Sequence, residues 1–494
     1  MGVRRRKAKT AKGDDDSDGV VGGASVVETA VAAEDGAGEA RGSKEEAGAV
    51  AGTAPDFVLP GSQSVYVRTW GCSHNSSDAE YMSGLLAQHG HPLVLSDTAA
   101  DTADVWLLNS CTVKGPSEAS FLTDVRKAQQ LGKKVVVAGC VPQASSRDKR
   151  WEGISIIGVQ QIDRVVEVVE ETIRGNCVQK PDPVPTPKSA TTPSVAPPTT
   201  TTDAPPAPVP KPRKAGGAAL DLPKVRRNTL VEIVPINTGC LNQCTYCKTK
   251  FSRGDLGSYP PSAILARIEH VLQYEGVTEV WITSEDVGAW GRDLGLALPD
   301  LLSPLAALLP RFPHAMLRLG MTNPPHIRAH LASLIEFLNH PQVYAFLHVP
   351  VQSGSDKVLR DMRRDYDAQG FWEVAIGVRK GVEGATIATD VICGFPTETS
   401  ADHAATLSLL DRLRPPVLHI SQFYPRPGTP AARLTPCFPD RVKKERSREI
   451  TRLFDSYHPY EGMEGSTVRC LVTDVASDGV KLVGHDKSYR QVVL

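Results

Sequence analysis

Apolar and polar positions alternate along the chain in two successive strand–helix series. In the first, SVYVRTWGC reads as a strand ending at Cys72, ADVWLLNSC as an apolar strand ending at Cys111, and KKVVVAGC as a strand ending at Cys140. Between them, SDAEYMSGLLAQHG reads as a helix with Ser77 as its N-cap, and a second helix is expected over 117–131. This βαβ pattern predicts a parallel sheet with helices on its faces. The second series repeats the unit, with strands expected at 230–236, 279–283, 315–320, 343–349, 386–392 and 417–423. Six such units predict a parallel barrel, complete or partial, whose chemistry sits at the C-terminal ends of the strands. Beyond Pro430, DRVKKERSREITRLFDSY reads as a charged helix, and the tail alternates apolar and polar positions (TVRCLVTD, VKLVGH, RQVVL), a pattern of antiparallel strands.

Two stretches lack either period. Residues 1–60 are rich in Ala, Gly, Asp and Glu, and are expected to be a disordered leader. Residues 177–226 carry PPTTTTDAPPAPVPKP and are expected to be a flexible linker with extended polyproline character. The expected organisation is therefore a leader (1–60), a parallel-sheet α/β domain (61–176), the linker (177–226), a partial (β/α)6 barrel (227–430), a charged helix (431–459) and a short C-terminal β segment (460–494). The fold class is α/β.

Charge narrows the partners. The 494 residues carry a formal net charge of −1, so a nucleic-acid site has to be a local patch. Arg441, Lys443, Lys444, Arg446 and Arg448 form the candidate patch; they could grip phosphates, or form a solvated face paired with Asp440, Glu445 and Glu449. No apolar run reaches the roughly 18–20 residues that span a bilayer. The N-terminus lacks the apolar segment of a secretory signal, so a cytoplasmic location is expected.

The ten cysteines are too sparse for a disulfide scaffold. Cys240, Cys244 and Cys247 form C-x3-C-x2-C directly after the first barrel strand. Three thiolates leave a tetrahedral zinc site one ligand short, unless a distant fourth completes it. They suit a 4Fe–4S cluster with one open iron, able to chelate S-adenosylmethionine (SAM). Cys72, Cys111 and Cys140 each follow the C-terminal end of a strand, and in a parallel sheet those ends share one edge. They could hold a second 4Fe–4S cluster, or be three unrelated core cysteines. Cys177, Cys393, Cys437 and Cys470 read as packing or linker residues.

With these residues in view, the chain resembles the tRNA methylthiotransferase family, in its eukaryotic and archaeal threonylcarbamoyladenosine branch. TWGCSHNSSDAEYMSG, LLNSCTVK, VAGCVPQ, NTGCLNQCTYCKTKFSRGDLGSYP, TSEDVGAWGRD, RLGMTNP, HVPVQSGSD, TDVICGFPTET and QFYPRPGTPAA carry the resemblance in order, over 64–494 apart from the linker. It implies an N-terminal methylthiotransferase domain, a radical SAM barrel and a C-terminal RNA-binding TRAM domain, here matched by a short segment. It implies that Cys72, Cys111 and Cys140 ligate an auxiliary cluster, and that Cys240, Cys244 and Cys247 ligate the SAM cluster. The implied reaction uses two SAM molecules: one methylates sulfur at the auxiliary cluster, and the other yields a radical that takes hydrogen from C2 of the adenine. The implied substrate is N6-threonylcarbamoyladenosine at position 37 of tRNA, next to the anticodon. The alternatives are another substrate for the same chemistry (isopentenyladenosine or a protein side chain) and a non-catalytic metal-containing RNA-binding protein.

Further candidates sit at strand ends. The backbone at Tyr246 is expected against the SAM adenine, and Ser284, Glu285 and Asp286 near its amino group, with helix capping as the alternative for this trio. Asn323, Gln352, Ser353 and Asp390 could line the SAM or nucleoside pocket, or simply build loops. A threonylcarbamoyl carboxylate needs a cation, for which Arg253, Arg292 and Arg318 are candidates. The electron donor and the sulfur donor are not legible in these residues.

Overall fold

A computed structural model describes residues 59–112, 115–146, 148–180 and 217–494. The expected leader therefore falls almost wholly outside the described residues, as does 181–216 of the expected linker.

The N-terminal sheet has six parallel strands in the order β2-β1-β3-β4-β5-β6. They are β1 Val65–Thr69, β2 Leu93–Val94, β3 Val105–Ser110, β4 Lys134–Gly139, β5 Ser155–Ile157 and β6 Gln179–Lys180. β3 is buried over its whole length, as a central strand covered on both faces must be. Thr69 pairs with Asn109 and Ser110 with Gly139, so β1, β3 and β4 end level with one another.

The first helix departs from expectation. It begins at Ser73, with Cys72 rather than Ser77 at its N-cap. Ser77 is buried inside the helix, and its Oγ donates to the Ile233 carbonyl at 3.1 Å. The polar stretch His74–Asp78 looks like a pre-helical cap in sequence because it packs against a second domain instead of a hydrophobic core.

That second domain is a partial barrel. Its first strand, β7 Val231–Pro235, is followed by a two-strand ribbon, β8 Asn237–Thr238 and β9 Gly257–Ser258. The remaining strands are β10 Glu279–Thr283, β11 Met316–Leu319, β12 Phe346–His348, β13 Thr386–Cys393 and β14 Val417–Gln422. β11-β10-β7 and β12-β13-β14 are parallel triplets, joined by a parallel bridge between Leu317 and Val343. All six expected strands are present. One face of each packs Val234, Ile282, Leu319, Leu347, Ile387 or Leu418 under the helices. The other face lines a concave lumen.

Three antiparallel strands close the described chain: β15 Cys470–Val475, β16 Leu482–Asp486 and β17 Gln491–Val493. They dock on the N-terminal end of the barrel. Thr473 Oγ1 donates to Glu279 Oε2 at 3.0 Å, and the Tyr489 ring packs on Tyr344 and Phe346 at 4.8 and 5.0 Å.

The expected linker is ordered at both ends. Gln179–Lys180 is an edge strand, and Tyr81 and Tyr259 donate to the carbonyls of Leu220 and Ala218. Buried Lys224 then ties the two domains, donating to Ser77 Oγ at 2.9 Å and pairing with Glu232 at 3.0 Å. Arg226 and Arg267 also reach Glu232, at 2.6 and 3.1 Å. Burial alone would raise the Glu232 carboxyl, but these three cations hold it down at about 2 against an ordinary 4.5. A depressed carboxyl stabilises the fold fully above pH 4.5, and that stabilisation is lost as pH falls toward 2. Glu232→Gln is expected to cost roughly 3 kcal/mol at pH 7 and to blunt acid destabilisation in this window. Urea titrations at pH 7 and pH 3 read both effects; equal midpoints for variant and wild type at pH 7 would refute the assignment.

Candidate metal-cluster site

The level ends of β1, β3 and β4 bring Cys72, Cys111 and Cys140 to one edge. Cys111 and Cys140 are buried, and Cys72 is half-buried. Gly71 makes this approach possible. It has φ +113°, and a Cβ there would lie 2.2 Å from the Cys111 Cβ, so only glycine leaves room for the thiol. A hydrogen bond with Cys111 lowers the Cys72 thiol to about 6, against its burial, with help from Arg253 and His74. Burial pushes the Cys140 thiol up to about 11. Three soft donors converge here, one of them already favoured as thiolate, and no fourth cysteine joins them among the described residues. This donor set fits a 4Fe–4S cluster with one iron left open.

Cys240, Cys244 and Cys247 occupy the loop after β8. Gly239, at φ +77°, lets this loop pass the Asp255 carbonyl, where a Cβ would sit 2.0 Å away. Burial raises the Cys240 and Cys244 thiols. Cys244 and Cys247 pack against an apolar wall of Tyr246, Val358, Met362, Phe395 and Phe423. Arg364 Nη1 donates to Cys244 Sγ at 3.1 Å. A dry wall, three thiols and one adjacent cation also fit a cluster, because burial then disfavours thiolates that no metal neutralises.

The two sites are physically joined. The short helix Thr249–Arg253 follows the second loop directly, and its Ser252 Oγ donates to the Cys140 carbonyl at 3.0 Å. Arg253 is buried between the domains. Its Nη2 donates to Asn75 Oδ1 at 2.6 Å and Asp78 Oδ2 at 2.7 Å, and its Nε lies 3.0 Å from Glu285 Oε1. From the far side, Arg426 donates through Nε to the Thr112 carbonyl (2.9 Å) and through Nη1 to the Tyr246 carbonyl (3.0 Å). One side chain thus touches the residue after Cys111 and the residue before Cys247.

Several candidates lie elsewhere than expected. Glu285 faces the domain interface, where its Oε1 meets His74 Nδ1 and Arg253 Nε at 3.0 Å each. Burial raises its carboxyl, but His74 and Arg253 outweigh that and lower it. It is an interdomain counter-ion. Ser284 Oγ accepts from the Asp286 amide, and Asp286 accepts from the Gly288 amide and from the Asn323 amide and Nδ2. This is the capping alternative. Asn323 does reach the cluster loop's surroundings, because Arg364 donates to its Oδ1. Gln352 holds φ +66°, an uncommon conformation for a non-glycine residue, while the Ser353 hydroxyl faces Thr406 on the helix layer. Asp390 lies in the lumen.

The basic helix is mixed. It spans Arg441–Phe454, and Arg441, Lys444 and Arg448 are exposed, while Lys443 is half-buried and paired with Asp440. Arg446 is not an RNA candidate: it is buried and bonded to Glu398 at 2.7 Å. The candidate cations divide as well. Arg253 is saturated by acids, Arg292 is exposed, and Arg318 lies in the lumen over the rings of Trp281, Phe346 and Tyr489. Sequence reasoning missed Arg426 and Arg364. Arg426 sits within a quoted motif and Arg364 outside any, and their roles are contacts across the fold rather than local patterns.

Residues 64–154 match the family described as Uncharacterized protein family UPF0004, and 234–410 match the Radical SAM superfamily. The chain is 50% identical over 443 residues to the Homo sapiens threonylcarbamoyladenosine tRNA methylthiotransferase, covering 89% of this chain and 70% of that protein. This chain belongs to the threonylcarbamoyladenosine tRNA methylthiotransferase family. Members of the family are similar across a wide range: the probable enzyme of Pyrococcus abyssi is 34% identical, covering 87% of this chain and 93% of that one. Among solved structures, the radical SAM methyltransferase TsrM from Kitasatospora setae, with cobalamin and a [4Fe-4S] cluster bound, shares the fold at TM-score 0.50 and 13% identity, covering 75% and 74% of the two chains. No single helix among the described residues is long and apolar enough to cross a membrane.

Proposed function

We propose that this chain is a radical SAM enzyme that adds a methylthio group to C2 of N6-threonylcarbamoyladenosine in tRNA, next to the anticodon. The observation that carries the reading is the pair of three-cysteine sites locked together by Arg426, Ser252 and Arg253. Methylthiolation needs a radical source and a sulfur source facing one carbon, and two rigidly spaced open-iron clusters suit that need. Cys240, Cys244 and Cys247 would hold the SAM cluster, and Cys72, Cys111 and Cys140 the auxiliary one. When bound, the SAM cluster supplies the electron that cleaves SAM. The protein's own part is to orient the two loops, to keep water from the apolar wall around Cys244 and Cys247, and to present RNA phosphates to Arg441, Lys444 and Arg448.

The test is anaerobic reconstitution with iron and sulfide, then dithionite, SAM and tRNA carrying threonylcarbamoyladenosine. About eight irons per chain, deoxyadenosine and a methylthio mass gain on that nucleoside are expected. About four irons with deoxyadenosine and unmodified tRNA would remove the methylthiotransferase assignment. Arg426 gives a finer prediction. Each of its bonds is charge-assisted and contributes about 1.5–3 kcal/mol. Arg426→Ala is expected to keep both clusters but to lower the methylthio product formed per deoxyadenosine about tenfold, because the spacing relaxes. An unchanged product ratio would show that Arg426 only braces the loops.

A further inference from the structure

The lumen of the partial barrel holds a polar cluster that the cysteine chemistry does not use. His348 on β12, Asp390 on β13 and His419 on β14 all point to the concave face, since their neighbours Leu347, Val391, Leu418 and Ile420 pack under the helices. Asp390 and His419 are directly paired in register. His348 Nε2 lies 2.9 Å from Asp390 Oδ2, and the His348 and His419 rings are 5.4 Å apart. His348 is buried, while Asp390 and His419 are half open.

Position gives the cluster its meaning. Two residues further along β13, Ile392 packs against the apolar cluster around Tyr246 that Cys244 and Cys247 also pack against, so the SAM-cluster loop lies above the polar cluster on the same face. Two residues back along β12 lies Phe346, one of three rings beneath the Arg318 guanidinium, at 5.1 Å. The Tyr489 ring, brought by the C-terminal segment, closes this floor 4.7 Å from the same guanidinium. The three side chains thus form a polar site between the cysteine loop and a cationic aromatic floor.

We infer that His348, Asp390 and His419 form the site that reads the N6 side chain of the substrate adenosine, taking its threonylcarbamoyl group and rejecting an apolar one. The inference rests on the functional reading above and deepens it. A threonylcarbamoyl group carries ureido N–H donors, a hydroxyl and a carboxylate. Asp390 accepts from the N–H or O–H groups. His419 offers an N–H in either protonation state, and His348, whose Nε2 is committed to Asp390, offers a second when protonated, for the ureido carbonyl or the carboxylate, with Arg318 supplying positive charge below. An isopentenyl group offers none of these partners, so burying it here desolvates the Asp390–His348 pair and the His419 ring with no new hydrogen bond in return, which is the basis for rejection.

The test uses the full, cluster-reconstituted protein and fluorescence anisotropy with two anticodon stem-loop RNAs, one carrying threonylcarbamoyladenosine and one the plain adenosine. One charge-assisted contact corresponds to about 10–100-fold in affinity. Wild type is expected to prefer the modified RNA by at least about tenfold. His419→Phe is expected to bind both RNAs equally, with iron content unchanged as the check on folding. Should His419→Phe lose iron, Asp390→Asn carries the same comparison with the sheet's volume kept. A variant that keeps the wild-type preference overturns the inference. So does about one zinc per chain that disappears in the variant, since these three side chains could also hold a cation. Wild-type protein that leaves threonylcarbamoyladenosine tRNA unmodified sinks the functional reading itself, and that result is obtained before any variant is made.

Discussion

Cys111→Ala is expected to leave about four irons per chain instead of about eight, to abolish the methylthio product, and to keep SAM cleavage. Cys111 follows the fully buried β3 and is itself buried. Its thiol sits in the space that Gly71 leaves open. Removing it leaves two thiolates, too few to hold a cluster against solvent, and the surrounding sheet has no substitute donor among the described residues. Cys240, Cys244 and Cys247 belong to the other domain, so their cluster should persist and SAM should still be reduced. Iron analysis, deoxyadenosine formation and mass spectrometry of digested tRNA separate the two sites. Persistent methylthio product in this variant would sink the auxiliary-cluster assignment. The reciprocal Cys244→Ala should lose SAM cleavage first.

Arg253→Met should be the most damaging single change outside the cysteines. The guanidinium is buried against Asp78 and Glu285, with His74 adding its ring to Glu285. Breaking a buried pair leaves uncompensated charge in a low-dielectric interior, which typically costs about 3–5 kcal/mol. Here two carboxylates lose their shared cation at once. The first urea transition should fall accordingly, and the domain interface should loosen, because Arg253 joins the helix bearing Asp78 to the loop bearing Glu285. Arg253→Lys should recover only part of the loss, since an ammonium cannot reproduce the fork that meets Asn75, Asp78 and Glu285 together. A Met variant within about 1 kcal/mol of wild type would mean the network is incidental to the interface.

Much of this was readable from residue order alone. The strand periods located β1, β3, β4 and all six barrel strands, because buried parallel strands are short apolar runs set by local pattern. The cysteines were readable for the same reason: a residue one to three positions past a strand end inherits the location of that end. Misreadings arose where a residue's partner is distant in sequence. Ser77 looked like a cap, and Arg446 looked like a phosphate ligand, because polarity normally means solvent. Here Ser77 meets Ile233 and Arg446 meets Glu398. Glu285 followed the second barrel strand as a SAM ligand should, yet the first domain packs onto that edge and claims its carboxylate for Arg253.

By itself, then, the sequence determined the α/β architecture, the C-x3-C-x2-C trio and the strand ends that carry Cys72, Cys111 and Cys140, whose grouping into a second trio was implied by the family resemblance. Those features depend on local hydrophobic period and on spacing along one strand. Only the tertiary structure decided how the loops that carry the trios are tied together, through Arg426 and Ser252. It alone put Glu285 under Arg253, and gathered His348, Asp390 and His419 in one lumen. Each of these is a contact between residues tens to hundreds of positions apart, formed only when two folded surfaces meet, and no local period records such a meeting.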